Sequence, residues 1–378
     1  MTLRLSHPEE DRYQRLRLIR WWDQSRLQEA SALVVGAGAL GNEVVKNLAL
    51  LGVGTIWIVD FDRIETTNLT RSALFRAGDV QQWKAEVLAA RAIELNTDCH
   101  AHALVRDARF DLGLSFLKGI DLIFGCLDNR EARYYTNRNC YLLKKLFIDG
   151  GLDTLNGSVT VFHPPQTACY ECTLGSADRQ ELQKRISCLK STDPEIKQHV
   201  PTAPTIASIV GGLQVQIGVR ALHALPIPTG KRLGLYGLSD VFFDMKLEMS
   251  EECGLHSWGD SLPDSIEKLE IPPQSSLKHT LEQARAKWNA SALIWDFDRD
   301  LTVELSCTSC GATIDFVGTQ SLYTGAAQCR CGGVLKQQTV TRYTGQELWG
   351  SKSFQELGFP EKHIHAAETA EGRIYFTL

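Results

Sequence analysis

A glycine loop set between a strand and a helix constrains this chain more than any other feature. Gly36-Ala37-Gly38-Ala39-Leu40-Gly41 follows the apolar run Ala32 to Val35 and leads into Leu40, Val44, Leu48 and Leu51, which recur at helical spacing. Glycines at Gly36, Gly38 and Gly41 let the backbone turn tightly and approach phosphate, and a helix N-terminus favours negative charge. A second strand, Thr55 to Val59, ends at Asp60, where a carboxylate can accept from ribose hydroxyls. These residues alone say "nucleotide", and on them an NAD-dependent dehydrogenase is the favoured reading.

The alternation continues. Leu88, Ala92 and Leu95 mark a helix, Asp121 to Cys126 a strand, Arg130 to Lys145 a helix and Leu146 to Ile148 a strand. Strands separated by helices of this length favour a parallel sheet with right-handed crossovers. After residue 150 the texture changes. Ser158 to Phe162, Leu233 to Tyr236 and Val241 to Leu247 read as strands of an added β portion. Ile206, Ile209, Leu213 and Ile217 give a buried helix face, after a polar loop broken by Pro201 and Pro204. With 378 residues the chain is long for one domain. Pro263, Pro272 and Pro273 sit in an aperiodic stretch that reads as a linker over 259–276, between domains at 1–258 and 277–378.

Three charged residues displace the dehydrogenase. Arg71 lies just past the acidic strand end, Lys84 opens the next helix, and Asp128 with Asn129 follows the strand ending at Cys126. Cations that neutralise α- and β-phosphate charge, with a carboxylate to hold Mg²⁺, are the parts for handling a triphosphate. Each alone is an ordinary surface charge; as an ordered set they are hard to obtain by chance.

With these motifs in place, the sequence resembles the superfamily of ubiquitin-activating enzymes and the bacterial sulfur-carrier adenylyltransferases of the ThiF and MoeB type. The resemblance rests on Arg12-Tyr13-Gln14-Arg15, Gly36 to Gly41, Asp60-Phe61-Asp62, Asn68 with Arg71, Lys84-Ala85-Glu86 and Leu127-Asp128-Asn129. Cys169-Tyr170-Glu171-Cys172-Thr173-Leu174 and the helix around Gly212-Leu213-Gln214 also match, so it covers roughly residues 9 to 256. One departure is Thr70-Arg71-Ser72, where the family usually has Asn-Arg-Gln. The resemblance implies that the glycine loop, Asp60 and Asp62 hold ATP, that Asn68, Arg71 and Lys84 hold its phosphates, and that Asp128 binds Mg²⁺. It implies a homodimer in which Arg15 reaches into the partner's site. It also implies a reaction in which a carrier protein's C-terminal carboxylate attacks the α-phosphate, giving an acyl adenylate and pyrophosphate.

Of the 11 cysteines, two groups have metal-ligand spacing. Cys169-x-x-Cys172 is one pair, and the family's partner pair falls where this chain reads Cys253-Gly254-Leu255-His256, giving an expected Cys3His zinc site. Cys307-x-x-Cys310 and Cys329-x-Cys331 read as a zinc ribbon that would stabilise a small C-terminal domain. The expected fold is therefore α/β: a Rossmann-like, doubly wound, mainly parallel sheet with an added β portion, plus a zinc-ribbon domain.

Cys126 and Cys140 sit in apolar surroundings and read as inert core, and Cys99 is uninformative. Cys188 lies among Lys184, Arg185 and Lys190 in a polar stretch read as part of a crossover loop at about 173–204, where cations favour thiolate. In the resembling enzymes the acceptor cysteine occupies this loop. The expected activity is adenylation of a ubiquitin-like protein, thioester formation on Cys188 and transfer to a conjugating enzyme; the alternative is a sulfur-carrier adenylyltransferase without conjugation. A net charge of −5 offers no basic surface for nucleic acid. No apolar run reaches the roughly 20 residues that span a bilayer, and the N-terminus lacks the apolar core of a signal peptide. A cytoplasmic protein with no membrane partner is expected.

Overall fold

The computed structural model describes residues 11–187, 201–257, 262–263, 265–322 and 329–378. Its first sheet is built from β1 (Ser31–Val35), β2 (Thr55–Val59), β3 (His100–Leu104), β4 (Leu122–Gly125), β5 (Phe147–Asp153), β6 (Asn156–Phe162), β7 (Lys231–Tyr236) and β8 (Val241–Lys246). They lie in the order β3-β2-β1-β4-β5-β6-β7-β8. The first five are parallel and the last three join antiparallel, as the change of texture after residue 150 led one to expect. The order reverses direction at β1, so the gap between the C-terminal ends of β1 and β4 is a switch point, where such sheets bind ligands.

Both faces of this sheet are covered, which is why its strands read as unbroken apolar runs. Alternate residues of β1 divide between two cores. Ala32 and Val34 pack with Val44, Leu48, Leu88 and Ile217, whereas Leu33 and Val35 pack with Leu117, Cys140 and Phe147. The helices are α1 (Gln24–Glu29), α2 (Ala39–Leu51), α3 (Lys84–Leu95), α4 (Leu114–Lys118), α5 (Arg130–Leu142), α6 (Ser176–Ser187), α7 (Pro204–Leu222) and α8 (Gly254–Ser257).

Several elements differ from the expectation. Pro204 does not break a loop but takes the first turn of α7, where its missing N–H costs nothing. By length and composition α7 could also cross a membrane, contrary to the sequence reading, but half of that stretch is buried inside the protein. Ser176–Ser187, inside the expected crossover loop, is helix. Glu267–Lys268, within the stretch read as linker, is a strand of the second sheet, and Leu269 lies in that domain's core.

The second sheet has β9 (Glu267–Lys268), β10 (Ile294–Cys307), β11 (Thr313–Ile314), β12 (Gly318–Thr319), β13 (Leu335–Tyr343), β14 (His365–Thr369) and β15 (Gly372–Thr377). The short runs expected there include a 14-residue strand, β10, which pairs with β11, β12, β13 and β14. Helix α9 (Leu277–Trp288) lays Leu277, Leu281 and Ala284 against Trp295, Tyr343 and Phe376.

This core encloses His363 and His365. Burial holds both below the usual histidine range, His365 well below; Asp298 pulls His363 back only in part. A histidine whose folded pKa is depressed contributes stability above its unfolded pKa of about 6.5 and loses it as pH falls below that value. Asp298 is also buried, but Arg299 and His363 more than offset that burial and hold its carboxyl well below 3.8, so it does not titrate in this window. The melting temperature should therefore fall between pH 7.5 and 5.5. His365→Phe suits a pocket shared with Phe354, Phe359 and Phe376 and should flatten the fall. Thermal unfolding across this range tests it, and a melting temperature independent of pH would count against it.

Candidate active site

The glycine loop leaves β1 at the switch point. Gly36 has φ of 100°, and a Cβ there would lie 2.4 Å from the Cys126 carbonyl oxygen; one on Gly41 would lie 2.0 Å from the Gly36 carbonyl oxygen. Loop, helix start and the end of β4 therefore meet with no room for side chains. A Cβ on Gly38 would meet nothing within 4 Å. Gly38 caps α2, so this open space lies at a helix N-terminus, which fits a phosphate cradle.

Two side chains fix this loop, and a third ties the strands beside it. Asp60 accepts from the Ala37 and Asp62 N–H groups, both at 2.7 Å. Burial raises its pKa, with Lys84 and those N–H groups opposing. Each oxygen keeps a lone pair for a ribose hydroxyl. Asn42 donates to the Ala37 and Gly38 carbonyls and accepts from Leu74 N–H at 3.0 Å, tying the loop to the segment that follows Arg71. Gln214 of α7 donates to the Gly125 and Ile148 carbonyls, holding together the ends of β4 and β5.

The expected phosphate and metal residues stand around this point. Lys84 Nζ lies 2.9 Å from Asp62 Oδ2, so these two are already paired. Asn68 is buried and accepts from Glu65 N–H, a local structural bond. Arg71 is half-buried and donates to the Thr67 carbonyl at 3.0 Å. Ser72 beside it has a buried hydroxyl with no partner among the described residues. Asp128 is exposed at the end of β4, its carboxylate met by the Asn129 amide at 3.4 Å. A carboxylate so placed suits a hard cation such as Mg²⁺.

Arg15 is not among them. Tyr13 bonds to Asn96 and Asp98 and packs on Gly52, which anchors this segment at the far end of α2. Thirteen residues of helix separate that end from the glycine loop, about 20 Å. Cys188 and Lys190 lie outside the described residues. Lys184 and Arg185 fall in α6, not in a loop.

Two cysteine clusters form as the spacing predicts. In the first, Cys169 Sγ is 3.8 Å from Cys172 Sγ and 3.5 Å from Cys253 Sγ, and Cys172 Sγ is 3.7 Å from His256 Nε2. In the second, Cys307–Cys331, Cys310–Cys329 and Cys329–Cys331 lie 3.4–3.5 Å apart at the end of the β10–β13 ladder. Within each set all four ligand atoms are within 4.8 Å of one another. Tetrahedral zinc with Zn–S near 2.3 Å places sulfurs about 3.8 Å apart, so both sets fit it. Cys126 and Cys140 are buried, as expected of inert core residues, and so is Cys99, on which the sequence was silent; burial raises all three thiols.

Some contributors were missed in the sequence. Half-buried Arg133 donates to the Leu127 and Gly150 carbonyls and pairs with Asp149 at 3.0 Å, holding the residue before Asp128. Glu171 accepts from Gly254 and Leu255 N–H groups, stitching the two halves of the first cluster. Its place between Cys169 and Cys172 was the available signal.

Comparisons agree with this geometry. A 30% identity over 256 residues links the chain to molybdopterin-synthase adenylyltransferase of Salmonella typhimurium, spanning 66% of this chain and 97% of the relative. The NEDD8-activating enzyme E1 catalytic subunit of Caenorhabditis elegans is 38% identical over 162 residues, but that match takes in only 39% of this chain and 37% of the relative. The structure of E. coli MccB with ATP has the same fold, with a TM-score of 0.54 at 21% identity over 66% of this chain and 75% of that one. The pattern of the ThiF family matches residues 11–255, and the chain belongs to that family.

Proposed function

We propose that this protein adenylates the C-terminal carboxylate of a ubiquitin-like or sulfur-carrier protein. The observation that supports the reading is the switch point itself, where the glycine loop has open space at Gly38, Asp60 is bonded to the loop, Lys84 pairs with Asp62 two residues on, and Asp128 is exposed just past the end of β4. A carboxylate oxygen of the carrier attacks the α-phosphorus of ATP. The α–β phosphoanhydride bond breaks and pyrophosphate leaves. Arg71 and Lys84 offset the charge growing on the leaving group, Lys84 exchanging its Asp62 contact for phosphate. Mg²⁺ held by Asp128 would supply further neutralisation there. Zn²⁺ in both cysteine clusters would be structural, the second as a zinc ribbon.

A protein substrate suits the surface. The edge strand β8 and its turn expose Tyr236, Leu238 (86% exposed), Phe242 (75%) and Met245, more apolar area than a small carboxylic acid needs. We take the active form to be a homodimer. Leu18 and Trp21 are exposed on the segment of Arg15, which stands a helix length from its own loop and so serves the neighbouring one.

The adenylate would then pass to Cys188 as a thioester, for transfer to a conjugating enzyme. A second reading, adenylation without conjugation, is favoured by the near full-length match to an adenylyltransferase. Incubation with carrier, Mg²⁺ and ATP, followed by a non-reducing gel, separates the two. Conjugation predicts a reducible adduct that Cys188→Ala abolishes while adenylation persists. An adduct surviving Cys188→Ala moves the role to another cysteine. No adduct, with adenylation intact, leaves the simple adenylyltransferase.

A further inference from the structure

Helix α5 touches three regions of the protein. Asp128 immediately precedes its cap, and Asn129 closes the cap by accepting from Ala132 N–H at 2.7 Å. At its other end, Asn137 accepts from Tyr170 N–H between the cysteines of the first cluster, and Tyr141 packs on His256. Between them, Arg138 donates to the Asp298 carbonyl of β10 at 2.6 Å. Asp298 is the centre of a buried cluster. Arg299 grips its carboxylate with two bonds and donates at 2.8 Å to the Phe110 carbonyl, in the loop between β3 and α4. His363 accepts from Leu114 N–H at Nδ1, so its proton is on Nε2 and faces Asp298 at 3.2 Å.

Two further contacts tie this loop down. The Lys362 carbonyl caps α4 by accepting from Ser115 and Phe116. Arg109, in the same loop, bridges Asp107 to Glu131 in the first turn of α5. The second domain thus grips α5 directly through Arg138, and again through the loop and Arg109. The Arg109 arm meets the first turn of α5 beside Asp128, and the Arg138 arm holds the same helix about two turns further on; Asp128 has little of its own to hold it in place.

We propose that the second domain is a positioning element of the nucleotide site, acting through Asp298 and Arg138 on α5 and hence on Asp128. This rests on the reading of Asp128 as the Mg²⁺ ligand for ATP. A cation site tolerates misplacement of only about 0.5 Å, so a ligand on a short exposed turn depends on what braces that turn.

Two substitutions in the full-length protein test it. Gly113→Ala drives a wedge, since a Cβ there would lie 2.2 Å from the Glu361 carbonyl oxygen and 2.5 Å from that of Lys362. Asp298→Asn keeps the shape and removes the charge. After circular dichroism confirms folding, ATP affinity is measured by calorimetry with Mg²⁺ and with EDTA. The expected result is an Mg²⁺ enhancement reduced about tenfold, the size typical of losing an outer partner of a metal ligand, with affinity in EDTA unchanged. An unchanged enhancement in both variants would overturn the proposal, and so would equal losses with and without Mg²⁺, which mean general destabilisation. Failure of the unsubstituted protein to bind ATP would overturn the adenylation reading and this inference together, and is distinguishable because no substitution is needed to see it.

Discussion

Asp128→Ala should lower carrier-dependent ATP–pyrophosphate exchange by on the order of 10²-fold or more, with the protein still folded. The size follows from what the group is proposed to do. It holds the charge that neutralises the leaving pyrophosphate, and removing one such preorganised group typically costs about 10²- to 10³-fold. The intact fold follows from its surroundings. Asp128 is exposed and, among the described residues, makes only the long contact from Asn129, whereas the turn is held by Asn129 and Arg133. Exposed positions of this kind usually change stability by about 0.5 kcal/mol or less. Arg71→Ala should act alike, because among the described residues its hydrogen bond is a local one, to the Thr67 carbonyl. Exchange near the unsubstituted rate in both variants, with melting temperatures unchanged, would contradict the assignment of the site.

Metal analysis should find two zinc ions per chain, and the two should be independent. Each set brings four ligand atoms within 4.8 Å, one between the segment after β6 and the start of α8 and the other at the end of β10 and β13, with separate buried shells. Zinc binding to such sites is worth about 10–16 kcal/mol in small zinc peptides, far more than the handful of apolar residues around either site. Cys307→Ser should therefore leave one zinc and expose the tip of the second sheet to protease, with the first cluster unaffected. His256→Ala should deplete the first site and spare the second. One zinc or none in the unsubstituted protein would refute the pair.

Much of this was legible in the sequence, and the reason is local chemistry. The glycine loop, the strand ending at Asp60 and each close pair of zinc ligands depend on spacing along a few residues, so the sequence carries them whole; the joining of Cys169 and Cys172 to Cys253 and His256, 84 residues on, came from the family resemblance. Asp128 was legible for the same reason, as a charge placed directly after an apolar strand. What was not legible depends on distant parts of the chain. Arg133 looked like any helical arginine, yet it folds in to bond the Leu127 and Gly150 carbonyls. Asp298 looked like one of three charges in Asp298-Arg299-Asp300, a composition typical of a surface, yet it meets Arg138 across 160 residues. The linker reading failed because prolines mark irregular backbone, not exposure: Leu269 is fully enclosed beside Pro272. Arg15 shows the converse, a motif residue on a segment that Tyr13 anchors at the end of α2 far from the glycine loop.

The most direct test of the account is to look for the product. The protein would be incubated with Mg²⁺, ATP and a small β-grasp carrier ending in a free carboxylate, and the mixture weighed by mass spectrometry while released pyrophosphate is assayed. The account predicts a carrier–AMP species and one pyrophosphate per adenylate, both lost when the carrier's C-terminus is amidated. Pyrophosphate release that persists with the amidated carrier, or NAD binding with no adenylate formed from any carrier, would contradict it.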